Sequence, residues 1–243
     1  GTGNGKSTLM AAGTRYILEH PEISKKILEY SQPIEFTFDK IQSKGSLLFA
    51  SEVGKHLRPR LDNRIEAERM AFEHAVRNSL RRHPGVIILG EARDQWTISA
   101  AIKAAQTGHG LYSTMHTDDC AKTFSRAVSV FPAAERHSTA IDIIESLKLV
   151  VSQQLIKSEK GGKVALREYI VVDGDVRDYM ITKDWSEWGG IVRKLLDSDQ
   201  VTGQSFAAHA KIRLEEGQIS EKTYQSILAK SKTENKNFDF TQD

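Results

Sequence analysis

The sequence predicts an α/β fold, a mainly parallel sheet flanked by helices. Three observations carry that expectation. The chain opens on Gly1-Thr2-Gly3-Asn4-Gly5-Lys6-Ser7-Thr8, a glycine-rich loop that runs straight into a helical pattern. Val86-Ile87-Ile88-Leu89 is a continuous apolar run, as found in a strand buried on both faces of a parallel sheet. Helical and strand-like stretches alternate between and after them.

The opening loop sets the chemistry. Glycines let the backbone fold tightly, so that successive N–H groups point at phosphate oxygens. Lys6 supplies a point charge, and the Ser7 hydroxyl is placed to ligate Mg²⁺. Leu9-Met10-Ala11-Ala12 starts a helix, whose N-terminus adds partial positive charge. The full pattern is G-x-x-x-x-G-K-[ST], and its first glycine falls one residue before Gly1. The expectation is therefore that the natural protein continues upstream by at least one strand and an N-terminal domain.

The remaining elements follow in order. Residues 9–20 read as helix up to His20-Pro21. Lys25 to Phe38 holds two short strand-like halves, broken at Ser31-Gln32-Pro33. Residues 39–65 are polar, with Gly45, Gly54 and Pro59, and read as loop or edge strand. Glu66 to Arg82 has helical spacing and is stopped by His83-Pro84-Gly85. The strand 86–89 then ends on Gly90-Glu91, and a carboxylate at the end of a central strand can support Mg²⁺ or a water beside a phosphate loop. Thr97–Thr107 reads as helix, Leu111–Met115 as strand, Cys120–Val130 as helix, and Ser138–Ile156 as one long amphipathic helix. Gly161-Gly162 makes a hairpin turn into the strand-like stretch Val164–Val172. Helices follow beyond about residue 180, and the polar tail is expected to be disordered. This gives a phosphate-loop α/β domain over 1–180, a helical region over 181–230 and a tail over 231–243.

Composition narrows the function classes. The 243 residues are 39% hydrophobic and 27% charged, ordinary for a chain with a packed core. A net charge of +2 with dispersed basic residues gives no nucleic-acid stripe. The single cysteine, Cys120, cannot form an internal disulfide, as suits a reducing cytosol. No apolar run approaches the roughly 18 residues of a membrane helix.

Four stretches together resemble a known family. They are Gly3–Thr8, Gln32-Pro33-Ile34-Glu35-Phe36, Val86-Ile87-Ile88-Leu89-Gly90-Glu91-Ala92-Arg93-Asp94, and Thr107–Asp119 with its two histidines. Their order and spacing resemble the Walker A, acidic box, Walker B and His box of the PilT-class type II/IV secretion ATPases. Phe131-Pro132 and Val151-Ser152-Gln153-Gln154-Leu155 resemble that family's C-terminal half. Within the class the chain looks most like the DotB and TraJ branch of type IVB secretion and conjugation. One departure stands out: the family's acidic box opens with Glu-Asp before the proline, and this chain has Ser31-Gln32 there. Ser51 also stands where the family has arginine before Glu52-Val53-Gly54.

The resemblance implies a RecA-like P-loop core and a set of roles. Residues Gly1, Thr2, Gly3, Asn4, Gly5, Lys6, Ser7 and Thr8 would bind the phosphates of ATP, and Ser7 and Glu91 would hold Mg²⁺. Glu35 would polarise the attacking water, Glu91 would support it, and His116 would sense the γ-phosphate. His109 is the second histidine of the box. Arg77, Arg81 and Arg93 have two readings, solvated surface or an arginine finger reaching a neighbour's γ-phosphate. The expected assembly is a hexameric ring, with the isolated chain only weakly associated. Expected partners are further copies of the chain and inner-membrane secretion-complex proteins, including other secretion ATPases. The expected location is cytoplasmic, peripheral to the inner membrane, with no sequence-specific nucleic acid bound. Two alternatives stand beside this: a RecA-like hexameric nucleic-acid motor, and a nucleotide-gated scaffold with poor hydrolysis, which the loss of Glu-Asp at 31–32 would suit.

Overall fold

The structure, a computed structural model, describes residues 3–54, 57–198 and 200–236. By contacts, the chain divides into two compact units, Lys6–Met115 and Gly1–Gly5 with His116–Asp243. The division falls at 115/116.

The first unit holds the parallel sheet. Helix α1 (Lys6–Glu19) is followed by β1 (Lys26–Ser31) and β2 (Leu47–Glu52). Helices α2 (Arg64–Arg69) and α3 (Ala71–Ser79) and a 3-10 turn (Leu80–Arg82) then lead to β3 (Val86–Leu89). Helix α4 (Gln95–Gln106) crosses over to β4 (Gly110–Ser113). All pairings are parallel, in the order β2-β1-β3-β4.

The period of two along a strand sends alternate residues to opposite faces. Ile27, Val86 and Ile88 pack with Met10, Ile17 and Leu18 of α1. Leu28, Tyr30, Ile87 and Leu89 pack on the other face with Phe72, Ala75 and Val76 of α3 and Ala100 and Ala104 of α4. Both faces are covered, so β1 and β3 are buried nearly throughout.

Two expectations in this unit change. Residues 33–38 form no strand: Pro33 has no N–H for a ladder, and Phe38 and Ile41 turn back onto the α1 side of the core. The helix expected over 66–82 is interrupted at Met70 and tightens to a 3-10 turn at Leu80. His83 then stops it with a left-handed φ of 48°.

The second unit is helices around an antiparallel sheet. It comprises α5 (Cys120–Ser129), a 3-10 turn (Ala133–Glu135), α6 (Arg136–Ser146), β5 (Leu149–Lys157), β6 (Lys163–Val171) and α7 (Gly174–Ile181). A turn (Trp185–Glu187), α8 (Trp188–Leu196), β7 (Gly203–Gln204), α9 (Phe206–Glu215) and α10 (Glu221–Lys236) complete it. The sheet order is β5-β6-β7. The long helix expected over 138–156 is instead α6 followed by β5. Leu147 breaks out with extended backbone (ψ 137°), and Val150-Val151 suits a pleated strand better than a helix. Helix α10 runs through residues 231–236, where a disordered tail was expected; 237–243 lie outside the described residues.

Candidate functional site

The first half of the phosphate loop is held by β5. Gln153 Nε2 donates to the carbonyl oxygens of Asn4 (2.8 Å) and Gly5 (3.1 Å). Asn4 Oδ1 accepts from the Leu155 N–H at 3.4 Å. Arg167 on β6 fixes the clasp by donating from Nε to Gln153 Oε1 at 2.9 Å. Glycine is required at position 5: its φ is 73°, and a Cβ there would lie 2.8 Å from Gln153 Nε2. Gly3 also takes the left-handed conformation, with φ 81°. With the two carbonyls turned to Gln153, the loop follows the backbone path its glycines allow.

The other half of the loop opens α1. Lys6 and Ser7 stand in its first turn, where N–H groups without helical partners face an anion. The Lys6 ammonium donates to the Met115 carbonyl oxygen at 2.9 Å, just past the carboxyl end of β4. That end is tied to β3: Thr114 Oγ1 donates to the Gly90 carbonyl at 2.6 Å, and the Ala92 N–H to the Thr114 carbonyl at 2.8 Å. These bonds place Lys6 and the segment Gly90-Glu91 at one end of one sheet. The carboxyl ends of parallel strands are where such sheets bind ligands.

The remaining candidates are placed as follows. Glu91 is half-buried in the segment after β3. Glu35 is exposed in the coil after β1. Arg93 lies two residues beyond Glu91, 53% exposed, with Nε 3.9 Å from Asp94 Oδ2. Arg77 pairs with Glu73 on the surface of α3, and exposed Arg81 lies in the turn leading to the amino end of β3. His109 bonds the Thr107 hydroxyl through Nδ1 at 3.0 Å and precedes β4, so it sits at the opposite end of that strand from Met115. His116 is exposed at the start of the second unit. Gly1 and Thr2 lie outside the described residues.

The donor set suits ATP with Mg²⁺. A flexible ammonium, a hydroxyl in a first helical turn and a left-handed glycine loop are phosphate-binding groups. Among the described residues no three His, Cys, Asp or Glu side chains form a metal cage. Mg²⁺ binding through one or two side chains plus phosphate oxygens and waters requires none.

Gln153, Arg167 and Met115 carry no site motif in the sequence. The signals for Gln153 are its place in the family-like stretch Val151–Leu155 and the polar run Ser152-Gln153-Gln154 within β5.

Comparison with known proteins is consistent with this geometry. The model of the family "Type II/IV secretion system protein" matches residues 1–173. The twitching motility protein of Neisseria gonorrhoeae is 40% identical over 178 residues, 73% of this chain and 43% of that protein. The pilus retraction ATPase PilT of Pseudomonas aeruginosa is 38% identical over 73% of this chain and 46% of its own length. The chain therefore spans about half the length of these relatives. Among solved structures, the Legionella pneumophila ATPase DotB is 41% identical with a TM-score of 0.82, covering 94% of this chain and 58% of that one. The PilT retraction motor with bound ADP has a TM-score of 0.74 at 26% identity, over 93% of this chain and 58% of that one. With its α/β P-loop fold and these matches, the chain belongs to the type II/IV secretion system protein family, in its PilT class and similar to DotB.

Proposed function

We propose that the chain hydrolyses ATP to drive a type IV secretion or conjugation machine of the IVB kind, as one subunit of a hexameric ring at the inner membrane. The observation that carries this reading is the clasped phosphate loop, with Lys6 held at the end of the same sheet that carries Glu91. The likeness to the solved DotB structure, at 41% identity and a TM-score of 0.82 against 26% and 0.74 for the solved PilT retraction motor, supports the choice of machine over a retraction motor.

In this reading the N–H groups of Gly3 to Thr8 and the Lys6 ammonium bind the phosphates. Ser7 and Glu91 hold Mg²⁺, which supplies charge neutralisation on the phosphates. His116 reports the γ-phosphate, and one of Arg77, Arg81 and Arg93 reaches a neighbouring subunit. Arg93 is favoured by its place two residues from Glu91 at the carboxyl end of β3. The test is phosphate release and light scattering on the full encoded protein, with and without DNA. The reading expects hexamers whose turnover DNA does not change. Turnover that rises with DNA would favour the nucleic-acid motor, and nucleotide binding without turnover would favour the scaffold.

A further inference from the structure

We propose that Glu29, acting through the Ser31 hydroxyl, is the proton acceptor for the attacking water, the role that the resemblance gives to Glu35. This rests on the ATPase reading above.

Five observations place the pair. Ser31 Oγ donates to Glu29 Oε1 at 2.8 Å in a buried setting. The two residues are two apart on β1, so they share the face that Ile27 presents to α1, the helix whose first turn holds Lys6 and Ser7. Ser31 is the last residue of β1, at the carboxyl end of the sheet. A Cβ built on Gly90 would lie 3.2 Å from Ser31 Oγ, so the hydroxyl borders the Gly90-Glu91 segment. That segment is the one that the Thr114 hydroxyl ties to the strand end bearing Met115, the acceptor of Lys6.

The chemistry fits a base better than a structural role. A carboxylate in the middle of a central strand costs free energy to bury, and Glu29 is only 9% exposed. Burial pushes its carboxyl above the usual range, with the Ser31 hydroxyl partly opposing, and this makes it a stronger proton acceptor. Glu35, the carboxylate that the resemblance put forward, is exposed in coil.

The water oxygen bonds to the γ-phosphorus, and the bond from that phosphorus to the β–γ bridging oxygen breaks. Its electron pair stays on ADP. The water gives a proton to Ser31 Oγ as the Ser31 proton passes to Glu29 Oε1. The products are ADP, inorganic phosphate and a neutral Glu29 carboxyl, which returns its proton to solvent.

The test uses the full encoded protein with E29Q, S31A, S31T, the E29Q/S31A double variant, E35Q and K6A. Readouts are kcat and KM for ATP, affinity for a fluorescent ADP, and melting temperature. E29Q and S31A should each lower kcat at least ~100-fold, within the usual range of general-base effects, with ADP affinity and melting unchanged. The double variant should be no slower than the slower single, because the two groups act as one unit. S31T should recover most of the S31A loss. Near wild-type kcat in E29Q or S31A would overturn the proposal. So would multiplicative losses in the double variant, loss of fold or of ADP affinity in E29Q, or a loss that falls on E35Q instead. K6A separates the two readings: if it binds ADP like wild type, the phosphate site itself is misassigned.

Discussion

Gln153 reaches back from β5 to two carbonyls of the phosphate loop, and it is held there by Arg167. Each such bond contributes about 1 kcal/mol net, so Gln153→Ala, which removes two, should weaken ADP binding by up to about thirtyfold without unfolding the protein. Titration with a fluorescent ADP checks this, and unchanged affinity would show that the loop needs no clasp. His209 does comparable work elsewhere. It is buried on α9, and its Nδ1 accepts from the Arg167 N–H at 2.8 Å. Burial lowers its pKa, and the nearby Arg213 lowers it further. Folded His209 therefore stays neutral at pH values where the unfolded chain takes up a proton, below about 6.5. Stability should fall as pH drops below that value. Urea unfolding at pH 7.5 and 5.5 should show a larger loss for wild type than for His209→Gln, whose amide oxygen can still accept the Arg167 N–H. Equal losses would contradict it.

At the scale of elements, the N-terminus of α5 shows how a short polar stretch is put to use. The Asp119 carboxylate caps the helix by accepting from the Lys122 N–H, and its other oxygen lies 3.5 Å from the Arg193 guanidinium of α8. Loss of a cap costs about 1 kcal/mol, and a half-buried Arg193 left without this partner adds to it. Asp119→Ala should therefore lower stability by about 1–2 kcal/mol in urea unfolding, and Asp119→Asn, which keeps a capping oxygen, by less. Equal losses in the two variants would assign the effect to charge and not to the cap.

Elements were legible where one period dominated. The run Val86–Leu89 and the helix after Lys6 could be read directly, because burial on both faces and a first-turn loop leave plain signatures. The strand β5 was not legible. Its apolar residues continue the spacing of α6, and only the extended backbone at Leu147 separates the two. Glu29 was hidden for a different reason. A lone acid between apolar neighbours says nothing of its partner until the strand's alternation puts Ser31 beside it.

For the molecule as a whole, the motifs carried both the fold class and the family, since a phosphate loop and an acid-tipped central strand need a parallel sheet between them. Residues supplied by distant strands escaped the sequence, because a clasp such as Gln153 on Asn4 spans 149 positions with no local pattern. The chain also divides at 115/116, inside the His box, where no change of composition marks a boundary. In the proposed ATPase the opening loop binds nucleotide phosphate through Lys6. The most direct measurement is a titration of a fluorescent ATP analogue into wild type and Lys6→Ala with Mg²⁺ present. Loss of a charge-assisted contact of roughly 1.5–3 kcal/mol predicts affinity weakened between about tenfold and more than a hundredfold, with an unchanged melting temperature without nucleotide. Equal affinity in the two proteins would contradict the claim.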